Sequence, residues 1–162
     1  MISFRPMSQA EFPDYLAYFV PDYAAEIAQN YALPAAEART RAESEIGQDL
    51  PQGPQTPGQT LFCILKETSG AHIVGYIWFR SDTIRRSVFV CDFCILPQYR
   101  GKGCGHEALA AFERLIRDQG FDEIRLRVAA DNARAQHVYA AGGFRVTGLN
   151  MAKRIAEPAK PD

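Results

Sequence analysis

The stretch from Val88 to Ala111, VFVCDFCILPQYRGKGCGHEALAA, is compatible with few architectures. An apolar run rich in β-branched and aromatic residues ends at Pro97, a basic glycine-rich turn follows, and a helical pattern starts at once. The order is strand, loop, helix N-terminus. Gly101, Gly103 and Gly105 let the backbone turn tightly and approach a ligand closely, while Arg100 and Lys102 bring positive charge. The first turn of the helix adds about half a unit charge more. A phosphate group suits that setting.

Two familiar phosphate loops are excluded by what the turn lacks. A nucleotide P-loop needs Ser or Thr after Gly-Lys, but Lys102 is followed by Gly103, and the dinucleotide fingerprint needs its third glycine where His106 stands. The remaining pattern resembles the acyl-CoA pyrophosphate loop of the GNAT family of N-acetyltransferases: Arg or Gln, two residues, Gly, one residue, then Gly or Ala. Arg100, Gly103 and Gly105 match it.

The rest of the chain sets bounds on that reading. With 162 residues, 47% of them hydrophobic, and no apolar run long enough to cross a membrane, we expect one domain over residues 1–156 and a frayed tail over 157–162. Eighteen basic residues against nineteen acidic ones give a net charge of −1, which argues against nucleic acid or an anionic membrane as partner. The start at Met1 lacks the basic and apolar regions of a signal peptide, so a cytoplasmic location is expected. Cys63, Cys91, Cys94 and Cys104 are then free thiols. Cys91 and Cys94 have the spacing of a metal or redox pair, but on a regular strand an odd separation turns them to opposite faces, and no metal site is expected. His72, His106 and His137 have no ligand spacing and read as structural or surface residues.

Taken in order, Ile2 to Arg5 reads as a first strand, and Ser8 with Glu11 has capping-box spacing. Phe12, Tyr15, Leu16 and Phe19 recur at helical intervals until Pro21, which should close the helix or turn the chain into a second segment, Asp22 to Asn30. Pro34 suits the first turn of a helix running to about Asp49. Asp22, Glu26, Glu37, Glu43 and Glu45 make this region acidic, a solvated helix face or a receptor for a cationic amine. Leu50 to Gln59, with three prolines and two glycines, is a loop. Strands follow over Leu61 to Lys66, Ile73 to Phe79 and Ser87 to Leu96, with turns at Thr68 to Ala71 and Ser81 to Arg86. Leu109, Phe112, Leu115 and Ile116 mark a helix face ending near Gly120; then come a strand Glu123 to Val128, a helix Ala133 to Ala141 stopped by Gly142 and Gly143, and strands Phe144 to Thr147 and Asn150 to Ile155. A strand, helix, strand unit inside a meander predicts an α/β fold: a mixed, mostly antiparallel sheet flanked by helices.

A second stretch, Asn132 to Phe144, strengthens the resemblance. Asn132, Ala135, Tyr139, Gly143 and Phe144 fall where the family often carries Asn, Ala, Tyr and Gly-Phe. The resemblance implies the GNAT fold and transfer of acetyl from acetyl-CoA to a primary amine by direct attack. It implies that Phe93, Cys94 and Ile95 bind the acetyl and pantetheine part, that Arg100, Gly101, Lys102, Gly103, Cys104 and Gly105 hold the pyrophosphate, and that Asn132 touches the cofactor. It also implies that Tyr139 is the general acid for the departing thiolate, although helical spacing alone favours a packed aromatic.

The general base is not carried over. Where some members place a glutamate, five residues before the asparagine, this chain has Arg127. Asp92 interrupts an apolar strand beside the proposed acetyl site, and three roles stay open for it: base, anchor for the ammonium, or structural carboxylate. Cys94 has no histidine at an activating spacing and reads as a small hydrophobe rather than a nucleophile. The rival reading is a non-catalytic acyl-CoA-binding sensor with the same fold. The acceptor is a small-molecule or peptide amine, and a homodimer is left open.

Overall fold

The elements follow one another as the periodicity requires. The computed structural model describes residues 1–68, 70–153 and 155. In chain order it has β1 (Ile2–Pro6), α1 (Phe12–Tyr31), α2 (Ala35–Asp49), β2 (Thr60–Glu67), β3 (Ala71–Asp82), β4 (Ser87–Ile95), α3 (Cys104–Asp118), β5 (Glu123–Leu126) and α4 (Ala133–Ala141). The strands form one sheet in the order β1-β2-β3-β4-β5; the first four are antiparallel neighbours and β5 runs parallel to β4. A parallel pair cannot be joined by a hairpin, and α3 provides the crossover.

Alternation along the strands sorts side chains into two cores. Leu61, Cys63, Tyr76, Trp78 and Cys94 meet Tyr15, Phe19 and Ile27 of α1 and Ala38, Ala42 and Ile46 of α2. On the other face Ile64, Ile77, Phe79, Val88 and Val90 meet Ala108, Phe112 and Ile116 of α3. Phe112 is fully buried and stacks edge-on with Phe79 and Phe4, at centroid distances of 5.1 and 5.9 Å. Removing such a ring from a core costs about 3–5 kcal/mol, so α3 is firmly seated on the sheet.

Four expectations are corrected. Pro21 does not end the first helix: α1 continues through it, with Tyr15, Phe19 and Val20 buried before it and Ala24 and Ile27 after it. Burial on both sides outweighs the one backbone hydrogen bond that a proline removes. The Ser8–Glu11 box forms, with Glu11 accepting from the Ser8 N–H at 2.9 Å, but it heads a single 3-10 turn before α1 starts at Phe12. The strand read to Val128 stops at Leu126. Over Phe144–Thr147 and Asn150–Ile155 the described residues form no strand, and residue 154 lies outside them. The tail 157–162 and Ser69, within the predicted turn Thr68 to Ala71, also lie outside the described residues.

The predicted loop, 50–59, contains one 3-10 turn, Gly53–Gln55, closed by the buried Thr56, whose hydroxyl donates to the Gly53 carbonyl at 2.8 Å. Its far end is tied to the sheet, because the Trp78 indole donates to Gln59 Oε1 at 2.7 Å.

Candidate active site

A single extra residue in β4 creates the site. Val90 pairs with Phe79 and Asp92 with Trp78, so Cys91 stands between two consecutive partners as a bulge. A bulge bends its strand and resets the alternation. Val88 and Val90 face the α3 core, but Asp92 and Cys94 then face α1, and Cys91 packs on that side as well. The expectation that Cys91 and Cys94 diverge is therefore wrong, since it assumed a regular strand. Among the described residues no cluster of His, Cys, Asp or Glu could hold a metal ion.

The bend falls where β4 leaves β5. Their pairing runs from Ser87–Glu123 to Val90–Leu126 and stops, so among the described residues 91–95 have no strand partner on that edge. The Leu96 N–H bonds the Val74 carbonyl on the β3 side at 2.8 Å. Antiparallel alternation then turns the backbone groups of Phe93 and Ile95 to the open edge. Gly75 is required on β3 here, because a Cβ would run into the Cys94 carbonyl oxygen.

At the end of this edge lies the glycine-rich loop, residues 100–105. Gly101 and Gly103 have φ of +71° and +77°, the left-handed region that glycine tolerates, and Gly103 caps α3. The amides of the first helical turn are left without intrahelical partners. Arg100 Nε donates to the Ile95 carbonyl at 2.7 Å, which fixes the guanidinium beside the open strand, and Lys102 Nζ donates to the Gln98 carbonyl at 3.0 Å. Lys66, reaching across from β2, lies 3.2 Å from Glu107 Oε1 and 3.5 Å from Cys104 Sγ, adding a third cation near the helix start. A Cβ on Gly105 would be 3.7 Å from Val138 and 3.9 Å from Ile95, so loop, strand end and α4 converge here.

Asp92 is the polar centre. The Tyr15 hydroxyl donates to its Oδ2 at 3.0 Å, and the Tyr18 hydroxyl stands 3.5 Å from Oδ1. Burial pushes its carboxyl up to about 7, against the pull of the Tyr15 bond, and nearby Asp22 pushes the same way. The carboxyl therefore titrates near neutrality. Tyr139, on α4, places its ring 6.4 Å from that of Phe93 and 5.6 Å from that of Phe144. Burial, then the charges of Asp92 and Cys94, raise its hydroxyl to about 12, which keeps it protonated at neutral pH. Burial first, then Asp92, holds the Cys94 thiol well above its ordinary range, so it is not an activated nucleophile.

On the α1 side Asp92 opens into a cleft of about 260 Å³, whose charged lining is Asp22, Glu26, Asp49, Asp92, Arg80 and Arg127. Four carboxylates against two guanidiniums make it a cation-receiving space. Arg127 bonds Glu26 at 3.0 Å. Of the acidic residues singled out in the sequence, Asp22 and Glu26 thus reach the cleft, whereas Glu43 pairs with Arg39 and Glu45 with Arg41 and Tyr23 along the helices. Glu37 is exposed. Asn132 caps α4, its Oδ1 accepting from the Ala135 N–H at 3.0 Å.

The structure brings Asp92, Phe93, Cys94, Ile95 and Tyr139 together, with residues 100–105 at the end of the same strand. Sequence reasoning missed Tyr15 and Tyr18 as partners of Asp92. Tyr15 counted only as an apolar helix position; two phenols three apart on α1 were the available signal. Lys66 was missed as well, although alternation on β2 turns it to the face of Ile64, toward α3.

Comparison with known proteins gives a consistent result. Residues 23–144 match the model of the acetyltransferase (GNAT) family. The chain is 30% identical over 156 residues to the uncharacterized N-acetyltransferase YycN of Bacillus subtilis, covering 95% of this chain and 99% of that protein. The crystal structure of YycN superposes with a TM-score of 0.87 over 97% of this chain and all of the other, at 31% identity. Two more distant structures share the fold. The PaiA N-acetyltransferase of Thermoplasma acidophilum, in complex with coenzyme A, has a TM-score of 0.67 at 15% identity over 93% of both chains. The spermidine N-acetyltransferase of Vibrio cholerae, in complex with CoA and spermine, has 0.62 at 17% identity over 91% of this chain and 82% of its own.

Proposed function

Because the chain belongs to the GNAT acetyltransferase family, we propose that it moves the acetyl group of acetyl-CoA to a primary amine by direct attack. One observation carries this reading: the acidic cleft adjoins, at Asp92, the stretch of β4 beyond Val90 that no longer pairs with β5. Acetyl-CoA would supply an acyl group activated as a thioester. The open edge at Phe93 to Ile95 suits its amide-bearing arm, as the two distant relatives solved with coenzyme A support. Arg100, Lys102 and the amides from Cys104 onward suit its phosphates, with Gly101 and Gly103 shaping the turn and Asn132 close by at the start of α4.

Each side chain then has a task its surroundings allow. Asp22 and Glu26 draw the ammonium into the cleft. Asp92, with its carboxyl near 7, takes a proton from it; an amine of pKa about 10.4 is otherwise mostly protonated and has no lone pair to offer. A backbone amide of the open edge would hold the negative charge that develops on the carbonyl oxygen as the nitrogen bonds to its carbon. Tyr139 gives its proton to sulfur as the carbon–sulfur bond breaks, the nitrogen releases its second proton to water, and Asp92 and Tyr139 return to their starting state by exchange with water. No covalent bond to the enzyme is formed.

The test is thiol release from acetyl-CoA across amino acids, polyamines, aminoglycosides and peptide N-termini, with Tyr139→Phe as control. The ring contacts of Tyr139 survive that change while the acidic hydroxyl is lost, so turnover should fall about 10²- to 10⁴-fold with acetyl-CoA affinity kept. Acetyl-CoA binding without thiol release on any amine would replace this reading with that of a sensor.

A further inference from the structure

The bulge at Cys91 turns Asp92 toward α1, and α1 meets it with a row of polar groups. Tyr15, Tyr18 and Asp22 recur at intervals of three and four residues, so they stand on one stripe of the helix. The two phenols reach the carboxyl oxygens unequally. The Tyr15 hydroxyl donates to Oδ2 at 3.0 Å, whereas the Tyr18 hydroxyl is 3.5 Å from Oδ1, beyond the usual length of such a bond.

Tyr15 is fully buried, and the rings of Phe12, Tyr18, Phe19 and Tyr76 surround it at centroid distances of 6.2, 6.2, 5.6 and 5.4 Å. Packing there does not call for a hydroxyl. Phenylalanine would fill the same space without the cost of taking a polar group out of water.

We propose that Tyr15 is a positioning residue for the base, an assignment that rests on the reading of Asp92 as the proton acceptor: by occupying Oδ2 it fixes the carboxyl and leaves Oδ1, beside Tyr18, to take the amine's proton. The step balances without a further reagent. An N–H bond of the ammonium breaks, an O–H bond forms at Oδ1, and the Tyr15 proton stays on its own oxygen. Burial, and next the charge of Asp92, hold the Tyr15 phenol well above its ordinary range, so it donates a hydrogen bond without giving up its proton.

That bond favours the charged carboxylate and opposes burial, the largest influence on Asp92. The other groups around the carboxyl are Tyr18 and Asp22 on α1, Cys91, Cys94 and the Phe93 N–H on β4, and Tyr139 on α4, with Glu26, Asp49, Arg80 and Arg127 lining the cleft. Burial raises the thiols and phenols among them above their ordinary ranges, so they stay protonated at neutral pH. All of these groups remain when Tyr15 alone is changed.

Tyr15→Phe removes the bond and keeps the ring. A hydrogen bond to a charged group is strong enough to move an ionisation by about one pH unit, so the ascending limb of kcat/KM for the amine should move up by about one unit from its place near 7. The rate should fall about fivefold at about pH 7 and recover by about pH 9, with KM for acetyl-CoA unchanged. Tyr18→Phe, which loses only the longer contact, should move the limb less. With 3-fluorotyrosine at position 15 the phenol is retained and donates more strongly, so the limb should move down. Carbon-13 titration of the Asp92 carboxyl, with no substrate present, should show the same two opposite shifts. A carboxyl that titrates with the parent in both Tyr15 chains, or a Tyr15→Phe loss of rate that is the same at every pH, would overturn the proposal. Opposite carboxyl shifts without acetylation of any amine would uphold the grip of Tyr15 on Asp92 and overturn the acetyl-transfer reading instead.

Discussion

Asp92→Asn turns the electrostatics of the site into a measurable stability. The Asp92 carboxyl, displaced from 3.8 to about 7 chiefly by burial, holds its proton more tightly in the folded chain than in the unfolded one. Between those two values the native state binds more protons than the unfolded state, so stability falls as pH rises and levels off above pH 7. A displacement of that size corresponds to about 4 kcal/mol at 1.36 kcal/mol per decade. Asp92 is half-buried rather than sealed, and solvent screening reduces the figure to about 2 kcal/mol. Asparagine cannot ionise, yet its side-chain carbonyl still accepts from the Tyr15 hydroxyl. The variant should therefore match the parent at low pH and exceed it by about 2 kcal/mol at about pH 8. Urea denaturation across that range measures the difference. Parallel stability curves for parent and variant would mean that the carboxyl titrates as an ordinary aspartate, and its role as a base poised at neutrality would fall with them.

Gly103→Val should fold, since a Cβ there meets only Glu107 Oε1, at 3.9 Å, but its φ of +77° is strained for a β-branched residue, and calorimetry should show acetyl-CoA affinity reduced at least tenfold. Tight binding by the folded variant would remove the loop from the site. Glu11→Ala should cost about 1–2 kcal/mol near neutral pH, because the carboxylate accepts from Arg5 at 2.5 and 2.8 Å and from the Ser8 N–H, with the Arg5 part screened by solvent. These bonds hold the Glu11 carboxyl far below its ordinary 4.5, Arg5 contributing most, so the stability they give is present above pH 4.5 and lost as pH falls below it. Thermal unfolding should show parent and variant converging in acid; a constant gap would contradict this account.

Local patterns carried most of the fold. The alternation of β2 to β4 and the helical spacing of Leu109, Phe112 and Ile116 are set by side chains that meet a neighbour close in sequence or repeat along one face, and these stood in the sequence as periodicity. What did not stand there arises between distant segments. Whether Pro21 breaks α1 depends on Tyr15 and Ile27 being buried against β3 and α2, which no window around residue 21 contains. The site was half legible. Its glycines and cations are contiguous, but the tyrosines that hold Asp92 lie more than seventy residues upstream, and the lining of the cleft combines Asp22 and Glu26 with Arg80 and Arg127 through the fold alone. The bulge had no local signature at all, and an argument from strict alternation failed at Cys91 for that reason.

That bulge also bears on how such a chain gains or loses its site. Phe79 and Trp78 are already adjacent on β3, and their partners Val90 and Asp92 are separated by Cys91 alone. Deleting one codon would give β3 and β4 a continuous ladder while every remaining side chain kept its face, so both cores would survive. The bend that parts β4 from β5 would go, and with it the free amides. Such a loss would be a deletion, a change that leaves the overall shape nearly untouched and that counting substitutions would overlook.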